Sequence, residues 1–174
     1  MKKLLTLSAT VLAALIFSFS QSNAEEKSVV DFFPDKLVDA NGKKVSRDSL
    51  KGKVVGIYFS AHWCPPCRLF TPSLVKFRNK NKNAFEVVFV SLDNSPEEKK
   101  EYMRGEKMKW PTIQGIRSKE GNELAQKFRV EGIPALIIIG PDGRPITPDG
   151  RQHVTADPNG ALKMWKKTAG ITKS

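Results

Sequence analysis

The sequence predicts an α/β fold: an N-terminal β-hairpin, then buried strands alternating with helices, with two thiols at the first main strand-to-helix junction. Three observations carry this. Residues 54–59, 85–92 and 135–139 are short, nearly continuous apolar runs rich in β-branched and aromatic residues, as strands buried on both faces require. Between the first two, Leu69, Phe70, Leu74 and Phe77 recur at helical spacing. Cys64 and Cys67, the only cysteines of the chain, stand where the first of these strands gives way to that helix.

In chain order, residues 29–33 form a short apolar lead, and residues 37–45 read as two small strands around an Asn41-Gly42 turn. Residues 46–52, with Ser46 at the start and Gly52 at the stop, read as a short helical turn. The helix after the cysteines runs to about Lys82 and is interrupted by Pro72, where a kink is expected. It joins two strands in a right-handed βαβ unit. A second helix extends from Ser95, a good N-cap, through about Glu106, with Glu97, Glu98 and Lys100 on a solvated face, and Trp110-Pro111 breaks it. Residues 118–122 read as a loop and 123–130 as a helix with Leu124, Ala125 and Phe128 on one face. Pro134, directly before an apolar strand, makes Ile133-Pro134 the best candidate in the chain for a cis peptide. Residues 141–144 turn into a final edge strand carrying Pro145 and Pro148, and Asp157-Pro158-Asn159-Gly160 leads into a C-terminal helix with Leu162 and Trp165.

The first residues have the layout of a secretory signal peptide. Lys2 and Lys3 precede an apolar stretch at 4–19, polar residues follow, and Ser22-Asn23-Ala24 offers cleavage after Ala24. The apolar stretch is shorter than the roughly 20 residues of a spanning helix, which favours cleavage over anchoring. The reading is therefore a leader at 1–24 and one domain at 25–174, exported to a periplasmic or secreted location. About 150 residues suffice for one full core. Of the formal +11, about +9 remains without Lys2 and Lys3. The basic residues are scattered and lack an aromatic-interleaved motif, which argues against nucleic acid and for a solvated basic surface attractive to acidic partners.

A solitary Cys-x-x-Cys in an exported domain points to chemistry. The helix start offers Cys64 unpaired N–H groups and the positive end of the helix dipole, which stabilise a thiolate. Cys67, one turn further in, is placed to attack the mixed disulfide that Cys64 would form, leaving a Cys64–Cys67 disulfide. A purely structural bridge would close too short a loop to constrain the unfolded chain much. Zinc would need two more ligands where only His62 and His153 remain, so no metal is expected. A redox-dead remnant is the third alternative.

Trp63-Cys64-Pro65-Pro66-Cys67, Pro72, and Gly132-Ile133-Pro134 before a main strand together resemble the active-site set of the thioredoxin fold. The wider run at 58–72, followed by residues 85–93, looks closest to the tryparedoxin and nucleoredoxin branch. The resemblance implies a central mixed β-sheet flanked by helices, Cys64 attacking, Cys67 resolving, and Pro134 cis beside the disulfide, leaving the Ile133 backbone to pair with a substrate strand. It implies that Trp63 covers the site and reports on it by fluorescence, that no cofactor is held, and that partners are protein disulfides or dithiols and a separate redox partner protein. Pro65 and Pro66 remove two backbone donors near the sulfurs and so bear on redox poise. Thioredoxins proper carry a buried Asp six residues before the first cysteine; here Tyr58 stands there, so the base for Cys67 is unassigned. Export is a second departure, since the relatives are largely intracellular. His62 reads as a solvated loop residue that would modulate the Cys64 thiolate if protonated. The expected activity is thiol–disulfide exchange, as a reductase or isomerase more than an oxidant. A thiol peroxidase, and a binding or metal-carrier module without turnover, are the rivals.

Overall fold

The computed structural model describes residues 28–171; the expected leader lies outside them. One seven-stranded mixed sheet organises the chain, with β1 (Leu37–Val38), β2 (Lys44–Val45), β3 (Val54–Ser60), β4 (Phe85–Ser91), β5 (Thr112–Ile113), β6 (Ala135–Ile139) and β7 (Pro145–Thr147) in the order β2-β1-β5-β4-β3-β6-β7. The long central strands β3 and β4 run parallel, residue for residue from Val54↔Phe85 to Ser60↔Ser91. β6 lies antiparallel on the other side of β3, with Phe59 opposite Ala135. Every residue of β3 and β4 is buried, which is why both read as unbroken apolar runs.

The parallel pair is connected by α1 (Pro65–Asn81), with Pro72 inside it. The other helices are α2 (Pro96–Gly105), α3 (Lys119–Lys127), α4 (Gly150–Ala156) and α5 (Ala161–Thr168). Ser95 caps α2 through the Glu98 N–H, and Ser46 caps the 3-10 turn Arg47–Leu50 through Asp48.

The hairpin forms as expected, with Gly42 at φ +81°, a left-handed conformation that glycine adopts without strain. It is part of the sheet, because β1 also pairs with β5. Two elements escape the sequence pattern. β5 is only two residues long and follows Trp110-Pro111, so it carries no periodicity. α4 falls in a polar stretch after Pro148 with only Gly150 and Val154 buried. One boundary is corrected: α3 begins at Lys119 rather than Glu123, Ser118 being its N-cap. Gly121, within the stretch read as a loop, serves packing, since a Cβ there would lie 2.8 Å from Val90 Cγ1.

Side chains alternate across the strands into two cores. Tyr58, Phe85, Val87, Phe89, Leu136 and Ile138 face α1, α2 and α5, where Phe70, Phe77, Tyr102 and Trp165 meet them. Val55, Ile57, Phe59, Val88, Val90, Ile137 and Ile139 face the N-terminal segment and α3. At the carboxyl end of β3, between these layers, Ala61, Cys64 and Cys67 form a small cluster with Leu92 and Ile133 against it.

Candidate active site

β3 ends at Ser60, and a tight turn carries the chain into α1. The Cys64 N–H donates to Ala61 O at 3.2 Å, closing the turn over His62 and Trp63. Cys64 is the N-cap of α1 and the two prolines occupy the first helical positions, where a missing N–H costs nothing. The Cys64 carbonyl accepts from the N–H groups of Cys67 and Arg68 at 3.1 and 3.2 Å. The two cysteines are joined in a disulfide with Cα atoms 5.2 Å apart. Cys64 is 3% exposed and Cys67 fully buried, so of the two residues Cys64 lies nearer solvent.

The sequence-predicted residues converge here. Cys64 Sγ lies 3.9 Å from Ile133 O, and the Ile133–Pro134 bond is cis. Trp63 stands at the rim, 48% exposed, its indole N–H donating to Leu92 O at 3.0 Å. Pro65 and Pro66 are exposed beside it. The imidazole of His62 is less solvated than expected: it is half-buried and stacks on Tyr102 with centroids 5.6 Å apart.

Tyr58, at the position of the missing acid, is buried beneath α1. Its hydroxyl shares a hydrogen with Thr71 Oγ1 at 2.8 Å and reaches Cys67 O at 3.5 Å. Thr71 Oγ1 donates to Cys67 O at 2.9 Å and meets Tyr102 Oη at 2.6 Å, and Tyr102 Oη meets Ser60 Oγ at 2.9 Å. Burial, with Tyr102 beside it, pushes the Tyr58 phenol well above its ordinary range. Tyr58 is therefore a neutral hydrogen-bonding group at working pH, and it braces the first turn of α1 rather than accepting a proton. No carboxylate hydrogen-bonds to Cys67 among the described residues.

Sequence reasoning missed the polar groups that enclose the turn. Asp93 is fully buried; its Oδ1 accepts the His62 N–H and its Oδ2 the Ser91 hydroxyl, both at 2.6 Å. Lys99, read with the solvated basic surface, is buried and donates to Ile113 O and Gly115 O at 2.6 Å each. Burial lowers its pKa from 10.5 to about 8, the charge of Asp93 opposing. Arg117 spans Leu92 O, Asp93 O and Asn94 Oδ1. The available signal was a run, Ser91-Leu92-Asp93-Asn94, where an apolar strand turns polar at the level of the cysteines. Among the described residues no three His, Cys, Asp or Glu side chains gather as a metal site would need.

A buried disulfide at a helix start, beside a cis-proline loop and at the end of a mixed sheet, is the arrangement on which the comparison with known proteins turns. Residues 52–145 match the thioredoxin-like family model. The chain belongs to the thioredoxin-like family. Tryparedoxin of Trypanosoma brucei brucei is 43% identical over 132 residues, covering 74% of this chain and 90% of its own. Human nucleoredoxin is 41% identical over 124 residues, 70% of this chain, and the chain spans only 28% of that relative's length. The solved tryparedoxin II complexed with glutathionylspermidine superposes with a TM-score of 0.67 at 38% identity, covering 75% of this chain and 92% of the other. Within the thioredoxin-like family this chain sits close to the tryparedoxin and nucleoredoxin branch, and it carries the Cys-x-x-Cys pair of a thiol–disulfide oxidoreductase.

Proposed function

We propose that this chain is an exported thiol–disulfide oxidoreductase that reduces disulfides of other proteins. The observation that carries the reading is the placement of Cys64 at the start of α1, with its sulfur facing the Ile133 carbonyl and its partner cysteine one turn behind. In the reduced protein the Cys64 thiolate attacks one sulfur of a substrate disulfide and expels the other as a thiolate. Cys67, deprotonated, then attacks Cys64 Sγ and releases the second substrate thiol, so two electrons and two protons pass to the substrate. The Cys64–Cys67 disulfide is returned to the dithiol by an external dithiol donor. The Ile133 main chain would pair with the substrate strand, while Trp63, Pro65 and Pro66 form its apolar surround. The partners are protein disulfides and a separate redox protein; a small-molecule thiol or its disulfide is a second substrate class, favoured by the glutathionylspermidine complex of the similar tryparedoxin.

Support for export comes from Lys2, Lys3, the apolar stretch and Ser22-Asn23-Ala24. Expressed with its leader, the protein should recover from the extracytoplasmic fraction with Glu25 as its N-terminus; a Met1 start in the cytoplasm overturns export alone.

Insulin reduction with dithiothreitol as donor tests the activity. Wild type accelerates the precipitation of insulin chains and Cys64→Ser abolishes the acceleration. A wild type no faster than dithiothreitol alone refutes the reading. A reductase should equilibrate near roughly −270 mV; a value near about −120 mV reverses the direction of electron flow.

A further inference from the structure

We propose that Asp93 is a positioning residue for Cys64, acting through the backbone N–H of His62 and the turn closed between Ala61 and Cys64; this rests on the reading of Cys64 as the attacking thiol.

A carboxylate withdrawn from water is costly unless its oxygens are filled and its charge answered. Both conditions hold for Asp93. Oδ1 is filled by His62 N–H and Oδ2 by the Ser91 hydroxyl, and Ser91 Oγ in turn accepts the Asp93 N–H at 3.2 Å. The facing cation is Lys99, itself fixed on Ile113 O and Gly115 O, and the Arg117 guanidinium holds the Asp93 carbonyl. The carboxylate is thus held through Oδ2 by Ser91, leaving Oδ1 to the turn.

Besides the disulfide at Cys64 and the stack of His62 on Tyr102, few bonds restrain the turn. Its ends are joined by the Cys64 N–H to Ala61 O bond, and Trp63 is tied through its indole to Leu92 O. The remaining donor, the His62 N–H, goes to Asp93. Two successive residues, His62 and Trp63, therefore hang from Asp93 and Leu92 just beyond β4, and the position of Cys64 Sγ relative to Ile133 O is inherited from them. Without that acceptor the His62 N–H is stranded in a part-buried site and the turn can rotate about its two ends. A shift of about 1 Å at an attacking atom costs on the order of a hundredfold in rate, so the effect should be visible in turnover.

Bond and charge separate experimentally. Asp93→Asn keeps an oxygen at the place of Oδ1 without the charge, since Ser91 Oγ can accept from the new amide. Asp93→Glu keeps the charge but displaces the oxygens by one methylene, and Asp93→Ala removes both. Insulin reduction is measured for all three beside wild type, with urea unfolding to confirm the fold and acrylamide quenching of tryptophan fluorescence to follow Trp63. Positioning predicts Asp93→Asn within about twofold of wild type, and Asp93→Glu and Asp93→Ala slower by about tenfold or more with Trp63 more accessible to quencher. The reverse ranking, with Glu active and Asn slow, makes charge the cause and overturns the proposal, as do three variants all equal to wild type or all equally slow. If Asp93→Ala does not fold, the Asn and Glu pair decides. If wild type itself fails to reduce insulin, the functional reading falls, whereas the quenching ranking still tests the restraint on the turn.

Discussion

The face of the sheet beneath α1 is aromatic and stitched by hydroxyls, whereas the face beneath α3 is largely aliphatic. Strands β3, β4 and β6 serve both. On the first, Tyr58, Phe70, Phe77, Phe85, Phe89, Tyr102 and Trp165 meet edge to face or at a tilt, with Phe77 and Trp165 5.4 Å apart and Tyr58 and Phe70 5.9 Å apart. On the second, Val, Ile and Leu side chains fill the space between the strands, the N-terminal segment and α3. Aliphatic packing gains stability from area without fixing a direction. Rings and hydroxyls accept fewer orientations, and they lie under the helix whose first turn must be held still. The fold thus puts its directional contacts where position matters and its non-directional ones where burial suffices.

Breaking the aromatic face should cost most. Trp165→Ala removes a fully buried ring that packs on Phe77 and Phe85 and donates to His153 Nδ1; a loss of about 3–5 kcal/mol is expected in urea unfolding. The buried cation beside Phe89 gives the next effect. The folded chain releases the Lys99 proton near pH 8 and the unfolded chain near 10.5, so the unfolded state holds more protons between these values and stability rises with pH across that window. The gain, on the order of 2 kcal/mol, should disappear in Lys99→Gln when unfolding is followed from pH 7 to 10.5. Tyr58→Phe keeps the ring and deletes one hydroxyl, leaving Thr71 and Tyr102 still paired; about 1–2 kcal/mol is expected, with a slower insulin reduction that the aliphatic face should never produce. Ile57→Val on the aliphatic face should cost about 1 kcal/mol and leave insulin reduction unchanged. A larger loss of activity from Ile57→Val than from Tyr58→Phe would dissolve the distinction.

Much of this was legible in order along the chain, and little of it across the chain. The strands β3, β4 and β6 announce themselves as apolar runs, and the cysteine turn is marked by its own residues, Trp63 through Cys67. Ile133 and Pro134 were found because proline before a buried strand is conspicuous. α3 was begun too late because residues 118–122 were read as a loop, although Gly121 among them is the residue that lets the helix approach Val90. Asp93 was not singled out and Lys99 was read with the solvated basic surface, since nothing in a linear pattern says that a carboxylate will meet an N–H 31 positions earlier. The same holds for Tyr58, recognised as a departure from an acid but not as a partner of Thr71 and Tyr102. Buried polar pairs between distant segments have no period, and periodicity is what a single sequence displays.

The sheet ends in β2, two residues long and carrying Lys44, and in β7, which opens with Pro145. Short, charged and proline-bearing margins give a foreign strand little to zip onto. For a protein proposed to greet its clients through main chain at Ile133, such margins keep a visiting segment from docking side-on far from the sulfurs, and they guard against self-assembly into fibrils.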